Sequence, residues 1–125
     1  MKGKIITIIV LVVLAGFLYF LVTTPGKSGK LDSFASCLKD SGVTFYGAFW
    51  CPHCRDQKAL FGRSAKNLPY VECSTPDGNG QTQECKDKGI KGYPTWNFSD
   101  GSRKSEVLSL NDLASITGCA LPENL

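Results

Sequence analysis

Cys51 and Cys54 are the residues of this sequence whose types and spacing best suit chemistry. They enclose Pro52 and His53, and a proline at this point is typical of the first turn of a helix. The free N–H groups and the positive dipole end of such a helix favour a thiolate at the first cysteine. A thiolate attacks or leaves a disulfide, and a second thiol one helical turn later can resolve the mixed disulfide. We therefore predict that Cys51 is the exposed, attacking sulfur and Cys54 the resolving one.

His53 is expected to tune this reaction. A positive charge and hydrogen-bond donor beside the Cys51 thiolate would stabilise the reduced form, and that raises the reduction potential. The alternative for His53 is a solvated surface side chain.

Two other interpretations of the Cys51–Cys54 pair are half of a zinc site and a purely structural disulfide. Cys73 and Cys85 lack the close spacing of a second zinc pair. A structural bridge gains most by closing a long loop, which this pair does not do. We expect no metal, and no cofactor besides the redox-active disulfide.

Composition limits the remaining possibilities. The chain has 125 residues, enough for one domain, and six cysteines. An even number of cysteines in a small chain indicates disulfides formed in an oxidising compartment. The formal charge is +3, and no basic run is longer than Arg103-Lys104. This balance gives no support to nucleic-acid binding, and we expect a monomer.

Residues 5–22 form an apolar segment without a charged side chain. As a helix they would measure about 27 Å, close to the hydrocarbon thickness of a bilayer. Lys2 and Lys4 favour a cytoplasmic N-terminus, which places the rest of the chain outside. We divide the chain into an uncleaved membrane anchor, a linker and an exported domain, over residues 1–24, 25–30 and 31–125. The alternative is a cleaved signal sequence, which would release the same domain as a secreted protein.

Hydrophobic periodicity and turn residues predict alternating helices and strands in the exported domain. In chain order they are a helix (31–40), a strand buried on both faces (43–50), a helix (52–66), a strand (69–73), a helix (81–88), two strands (95–98 and 103–108) and a last helix (109–118). The last helix is expected to begin at a Ser109 cap and to turn these side chains inward: Leu110, Leu113, Ala114 and Ile116. This order predicts an α/β fold with a mixed sheet of about four strands flanked by helices.

Two motifs together resemble the thioredoxin superfamily. They are Phe49-Trp50-Cys51-Pro52-His53-Cys54 and, further along the chain, Gly92-Tyr93-Pro94-Thr95. The resemblance extends over residues 31–121 and implies a thioredoxin fold with Pro94 in cis, packed against the active-site disulfide. It also implies a substrate groove formed by Trp50, Tyr93, Pro94 and Thr95. For Phe49, packing in the core is the better prediction.

A narrower similarity links the chain to the thioredoxin-like domain fused to bacterial vitamin K epoxide reductase homologues. It rests on residues 46–58, 70–74 and 83–85. Those membrane enzymes pass electrons from the thioredoxin-like domain to quinone. Since this chain has one membrane segment in place of a multi-helix bundle, such an oxidase would be a separate membrane partner. The similarity implies an enzyme that oxidises cysteine-containing exported proteins.

Position 45 departs from the family pattern. Many thioredoxins carry a buried Asp there, which serves proton transfer, whereas this sequence has Phe45. The departure argues against a general reductase role. Glu72 and Asp56 are the carboxylates considered as substitutes, and we expect each to be solvated instead.

The other four cysteines are expected to form structural bridges. Cys73 and Cys85 bracket a polar loop over residues 74–80, and the narrower similarity includes both; a bridge between them would stabilise the fold by about 2–4 kcal/mol. Cys37 lies on the first helix and Cys119 follows the last one, and in a thioredoxin fold these helices approach the same part of the sheet. We therefore predict a second bridge, Cys37–Cys119. The alternative is a second redox pair among these four residues.

Three functions remain open at this point. The first is a membrane-anchored extracytoplasmic thiol–disulfide oxidase that a quinone-linked partner reoxidises. The second is a disulfide reductase or isomerase supplied with electrons across the membrane. The third is a non-catalytic peptide-binding module whose Cys51–Cys54 pair is only a structural bridge.

Overall fold

The computed structural model describes residues 1–23 and 26–123. Thr24 and Pro25, where the predicted anchor ends and the predicted linker begins, lie outside the described residues, as do residues 124–125 at the end of the predicted domain. The helices are α1 (Lys2–Thr23), α2 (Asp32–Asp40), α3 (Pro52–Phe61), α4 (Gln83–Asp87) and α5 (Leu110–Thr117). The strands are β1 (Thr44–Gly47), β2 (Tyr70–Glu72), β3 (Thr95–Asn97) and β4 (Arg103–Lys104).

The four strands form one mixed sheet in the order β2-β1-β3-β4. β1 is parallel to β2, and Gly47 is the register partner of Glu72. β1 is antiparallel to β3, and β3 to β4, as a hairpin requires. Three of the four β1 residues are buried, because β1 is an inner strand with neighbours on both edges. This sheet with its flanking helices is the thioredoxin fold, so the predicted fold class is confirmed.

The core forms where the apolar stripe of α2 faces the sheet. Leu31, Phe34, Ala35 and Leu38 are at most 4% exposed, as the helical spacing predicts. Phe34 stacks on Phe61 of α3, with ring centroids 5.9 Å apart. Full burial of one large apolar side chain is worth about 1.5–3 kcal/mol, so this stripe is enough to hold α2 against the sheet.

The last helix begins as predicted and turns three of its four predicted side chains inward. Ser109 and Asp112 form a capping box, in which each side chain accepts a hydrogen bond from the other residue's backbone N–H. Leu113 is fully buried, whereas Ile116 is 42% exposed, so the prediction for Ile116 was wrong. Leu110 and Ala114 are half-buried and pack against the core, as predicted.

The predicted helix 52–66 was too long. α3 ends at Phe61, because Gly62 takes a positive φ of 52° that is not helical for an L-residue. A 3₁₀-helix (Gly62–Asn67) follows and leads into β2.

The predicted strands over 43–50 and 103–108 were also too long. β1 ends at Gly47, where the chain leaves the sheet to reach the first cysteine. β4 has only two residues. The backbone of Leu108, further along the chain, bonds to a side chain and not to a neighbouring strand. The fully buried Gln57 of α3 accepts from the Leu108 N–H at 2.7 Å and donates to the Leu108 carbonyl at 3.0 Å. Gln57 also accepts from the Trp96 indole N–H at 3.2 Å, so one amide satisfies three buried polar groups.

Candidate active site

The cysteine motif lies at the junction of β1 and α3. Cys51 is the N-cap residue of α3 and Pro52 is its first helical residue, as the motif predicted. The Cys51 N–H donates to the Ala48 carbonyl at 3.0 Å, which fixes the tight turn after the strand. The Cys54 N–H donates to the Cys51 Sγ at 3.4 Å. The helix N-terminus therefore directs an N–H donor at the sulfur that the sequence identifies as the attacking one.

Both active-site cysteines are buried thiols in this structure. Cys51 is 4% exposed, so the prediction of an exposed sulfur was wrong. The reason is the loop before β3, since the Cys51 Sγ lies 3.7 Å from the Tyr93 carbonyl oxygen and can donate to it. The peptide bond between Tyr93 and Pro94 is cis, and Pro94 is buried. A substrate sulfur must therefore approach Cys51 between the start of α3 and this loop.

Tyr93 divides the surface around Cys51 into two cavities. One measures about 370 Å³ and has His53, Pro94 and Val107 in its wall. The other measures about 500 Å³ and is lined by Trp50 and by residues of the 74–81 loop. Because Tyr93 lines both cavities, an extended peptide that reaches Cys51 would pass over its side chain.

Trp50 and Tyr93 are held by the polar loop that follows β2. The Trp50 indole N–H donates to the Ser74 Oγ at 2.9 Å, and the Gln81 amide donates to the Tyr93 hydroxyl at 2.8 Å. The two aromatic rings meet edge to face with centroids 6.0 Å apart. Trp50 keeps half of its surface exposed, as a groove residue requires.

Thr95 and Phe49 differ from the expectations for them. Thr95 is buried, and its hydroxyl bonds to the Gly92 carbonyl and to the hydroxyl of Ser105, so its side chain braces the loop before β3 from within. Phe49 is 53% exposed, so the prediction that it packs in the core was wrong. The chain has already left the sheet at Phe49, and the ring lies above the loop at Gly78.

His53 points into solvent. Its Nδ1 lies 3.8 Å from the Asp56 carboxylate, and both side chains are 70% exposed. The described contacts of His53 do not include the Cys51 sulfur, so its effect on that sulfur would act through a protonated charge at the cavity rim. Asp56 is solvated, as expected.

Cys54 lies one turn further into α3 and is 1% exposed. Burial raises the pKa of its thiol to about 12, and the neighbouring Cys51 adds to the rise, while the Lys58 ammonium opposes it. The sulfur fits because Gly47 has no side chain: a Cβ there would lie 2.9 Å from the Cys54 Sγ. Cys54 therefore stays protonated at neutral pH until a base removes its proton.

Glu72 is a site residue that sequence reasoning placed in solvent. One carboxylate oxygen accepts from the Phe49 N–H at 3.2 Å and from the Ser74 N–H at 2.8 Å. The other accepts from the Tyr70 hydroxyl at 2.7 Å. Glu72 is half-buried, so the prediction of a solvated carboxylate holds only in part: parallel β1 and β2 end side by side and bring it to the turn before Cys51. That shared edge is the signal that could have found it.

The remaining cysteines pair as the sequence analysis predicted. Cys37 is bonded to Cys119 and Cys73 to Cys85, across sequence separations of 82 and 12. Cys51 and Cys54 are then the free pair. Within residues 1–23 and 26–123, no group of three or more His, Cys, Asp or Glu side chains is arranged to hold a metal ion.

The family assignment follows from residues 30–117, which match the family model described as Thioredoxin. The chain belongs to the thioredoxin family. It is 43% identical over 96 residues to the thiol-disulfide oxidoreductase LTO1 of Arabidopsis thaliana, a match that covers 73% of this chain and 25% of that protein. It is 28% identical over 80 residues to mycoredoxin 1 of Corynebacterium glutamicum, covering 64% of this chain and 99% of that protein.

Two further proteins are similar to this thioredoxin-family chain. A protein disulfide-isomerase of Aspergillus niger is 29% identical over 82 residues, covering 60% of this chain and 15% of that protein. The crystal structure of oxidised thioredoxin O2 from Arabidopsis thaliana aligns with a TM-score of 0.38 at 18% identity, over 74% of this chain and 89% of that one. The chain thus spans a quarter or less of two of the curated relatives it matches.

Family membership and the names of these relatives define the reaction class. The chain is a thiol–disulfide oxidoreductase, with a free cysteine pair at the position that this chemistry needs. These findings favour a catalytic role over the alternative of a non-catalytic peptide-binding module.

Proposed function

We propose that the chain is a membrane-anchored oxidase that introduces disulfides into exported proteins, of the subtype similar to the domain fused to vitamin K epoxide reductase homologues. The observation that supports the oxidising direction is the environment of the Cys51 sulfur. It sits at the N-terminus of α3 and accepts the Cys54 N–H at 3.4 Å. Both features favour the thiolate, and a stabilised thiolate makes the disulfide a stronger oxidant.

The proposed reaction begins with the Cys51–Cys54 disulfide. A substrate thiolate attacks the Cys51 sulfur, the bond between the two enzyme sulfurs breaks, and Cys54 leaves and takes up a proton. The second substrate thiolate then attacks the first substrate sulfur. The substrate disulfide forms, Cys51 departs as a thiolate, and the enzyme keeps both electrons as a dithiol. The helix N-terminus stabilises this departing thiolate, which draws the exchange toward substrate oxidation.

Position 45 supports the same direction. Phe45 is fully buried, stacked on Trp96 at 4.6 Å and edge-on to Tyr70 at 5.1 Å. The site therefore holds an aromatic ring where a thioredoxin reductant would hold a proton-accepting carboxylate.

A turnover requires that the dithiol be reoxidised. We propose that a separate quinone-linked membrane oxidase of the vitamin K epoxide reductase type accepts its two electrons. In the Arabidopsis relative the matching segment is only 25% of the length, so that protein carries further sequence beside its thioredoxin-like part.

The proposed location rests on α1 and on the two bridges. α1 is long and apolar enough to cross a membrane, with a mean hydropathy of 3.1 and no buried side chain. The Cys37–Cys119 and Cys73–Cys85 disulfides suit an extracytoplasmic domain. We propose a single-pass anchor over residues 1–24, a linker over 25–30 and an external catalytic domain.

The anchor has a direct test. We expect the protein extracted from membranes to have the intact mass of the full chain, because α1 stays attached. Recovery of a soluble domain that begins after the apolar segment would show a cleaved signal sequence and a secreted enzyme, since the same helix also suits a signal.

The oxidising direction is tested by the reduction potential of Cys51–Cys54. We expect equilibration with glutathione buffers to give a value above about −200 mV, toward the roughly −120 mV of the oxidant DsbA. The Cys51→Ser variant, which cannot form the pair, is the control. A value near the roughly −270 mV of thioredoxin would favour instead a reductase or isomerase supplied with electrons across the membrane.

A further inference from the structure

Cys54 poses a proton-transfer problem that the motif does not solve. Each exchange changes its protonation state, yet the residue is 1% exposed and its thiol has its pKa raised to about 12 by burial. A buried thiol of this kind needs a group beside it that gives and accepts a proton.

We propose that Tyr70, Glu72 and Lys58 form a relay that exchanges the Cys54 proton with solvent, in which Tyr70 is the group facing the sulfur. The inference deepens the proposed function. It rests on exchange at Cys51 and Cys54, but not on the direction of electron flow.

Tyr70 and Cys54 both approach the α-carbon of Gly47. A Cβ at Gly47 would lie 2.9 Å from the Cys54 Sγ, 3.3 Å from the Tyr70 hydroxyl oxygen and 2.8 Å from the edge of its ring. The thiol and the phenol therefore border the same small gap, which exists because position 47 has no side chain. A proton can cross this gap without passing through the apolar core.

Glu72 connects Tyr70 to the outside. The Tyr70 hydroxyl donates to the Glu72 Oε2 at 2.7 Å, so the lone pairs of the phenol oxygen remain free to accept a proton. The Glu72 Oε1 is fixed by the Phe49 and Ser74 N–H groups. Glu72 and Tyr70 are both half-buried, so the carboxylate keeps access to solvent.

Lys58 supplies the compensating charge. It lies one helical turn after Cys54, and its ammonium stands 3.3 Å from the centre of the Tyr70 ring. Its positive charge lowers the energy of a Cys54 thiolate. The titratable groups that face Cys54 are thus Cys51 and Lys58 from the α3 side and Tyr70 from β2, with Glu72 behind Tyr70. β1 presents Gly47 and Phe45, which do not titrate.

The relay balances in both directions. When Cys54 attacks a mixed disulfide, its S–H bond breaks, the proton joins the Tyr70 oxygen, and the phenol proton moves to Glu72. The electron pair stays on the Cys54 sulfur and forms the new disulfide with Cys51. When Cys54 leaves a disulfide, the proton moves from Tyr70 to sulfur, and the phenol is reprotonated from solvent through Glu72.

The test measures how fast Cys54 resolves a preformed mixed disulfide between Cys51 and glutathione. Tyr70→Phe keeps the ring under Lys58 and against Phe45 and removes only the hydroxyl. We expect it to slow resolution by about tenfold or more near pH 7, with the deficit shrinking toward about pH 9 as hydroxide replaces the relay. Glu72→Gln keeps acceptors for the Phe49 and Ser74 N–H groups but cannot take a proton, and we expect the same change.

A matched control is Tyr46→Phe, which removes the hydroxyl of a buried tyrosine of β1 that packs beside Cys73 and Cys85. We expect it to resolve at the wild-type rate, and all three variants to leave the rate at which iodoacetamide modifies Cys51 unchanged. Wild-type resolution by both Tyr70→Phe and Glu72→Gln across this pH range would overturn the relay. Such a result would leave the proposed function intact, because that depends on the reduction potential.

Discussion

Replacing Cys54 with Ala is expected to arrest the enzyme as a mixed disulfide with its substrates through Cys51. In this variant the free Cys51 thiolate attacks a substrate disulfide, which is the reverse of the proposed oxidation, and the mixed disulfide persists because the Cys54 thiol that would displace the substrate is missing. Well-oriented intramolecular groups reach effective molarities of about 10⁵ M, which millimolar thiols in solution cannot match. Turnover should therefore fall on the order of a thousandfold or more, while the adduct accumulates.

The adduct is detected by non-reducing electrophoresis and by intact mass before and after reduction. The control is the double variant Cys51→Ala/Cys54→Ala, which should trap nothing, because the structural bridges hold the other four cysteines. Trapping of equal amounts by the double variant would show that another cysteine reacts, and would refute the assignment of Cys51.

The second large effect is expected when the Cys37–Cys119 bridge is removed. It joins α2 to the segment after α5 across a sequence separation of 82, against 12 for Cys73–Cys85. The chain-entropy relation gives about 4.5 kcal/mol for the long loop and about 3 kcal/mol for the short one. Since domains of this size are stable by roughly 5–15 kcal/mol, the Cys37→Ala/Cys119→Ala variant should lose a large share of its stability.

Urea unfolding of the Cys37→Ala/Cys119→Ala variant checks this value. At about 4–8 °C per kcal/mol, a loss of about 4.5 kcal/mol should lower its melting temperature in a thermal scan by roughly 20–35 °C. The Cys73→Ala/Cys85→Ala variant is the comparison, and we expect it to lose less stability but more activity. Its bridge holds the loop whose Ser74 and Gln81 fix Trp50 and Tyr93. A greater loss of stability from the shorter bridge would contradict the loop-length argument.

Features that depend on neighbours in sequence were predictable. The spacing of Leu31, Phe34 and Leu38 identifies the buried face of α2, because a helix brings such residues to one side. The N-cap position of Cys51 and the Ser109 cap follow from turn and cap chemistry within four residues. The Cys73–Cys85 bridge follows from the short loop that it brackets, whereas Cys37–Cys119 was predicted only from the fold that the family resemblance implies.

Element ends were less predictable for a physical reason. Apolar residues continue past Gly47 to Trp50, so the pattern extends the strand, but the chain must leave the sheet there to start α3. Leu108 lies outside the strand that was predicted for it, and its backbone N–H and carbonyl bond to the buried Gln57 amide instead. Competition of this kind is decided by a residue far along the chain.

The sequence by itself determined the fold class and the candidate reactive cysteine pair, because hydrophobic periodicity, turn residues and the spacing of the motifs can be read along the chain. Only the tertiary structure decided how the two sulfurs are buried and which groups lie beside them. Tyr93 covers Cys51 from a distant loop, and the gap at Gly47 brings Tyr70 to Cys54. These contacts join residues that are far apart in the sequence, so local propensities cannot predict them. Packing around a buried thiol determines both how a substrate reaches it and which groups can exchange a proton with it.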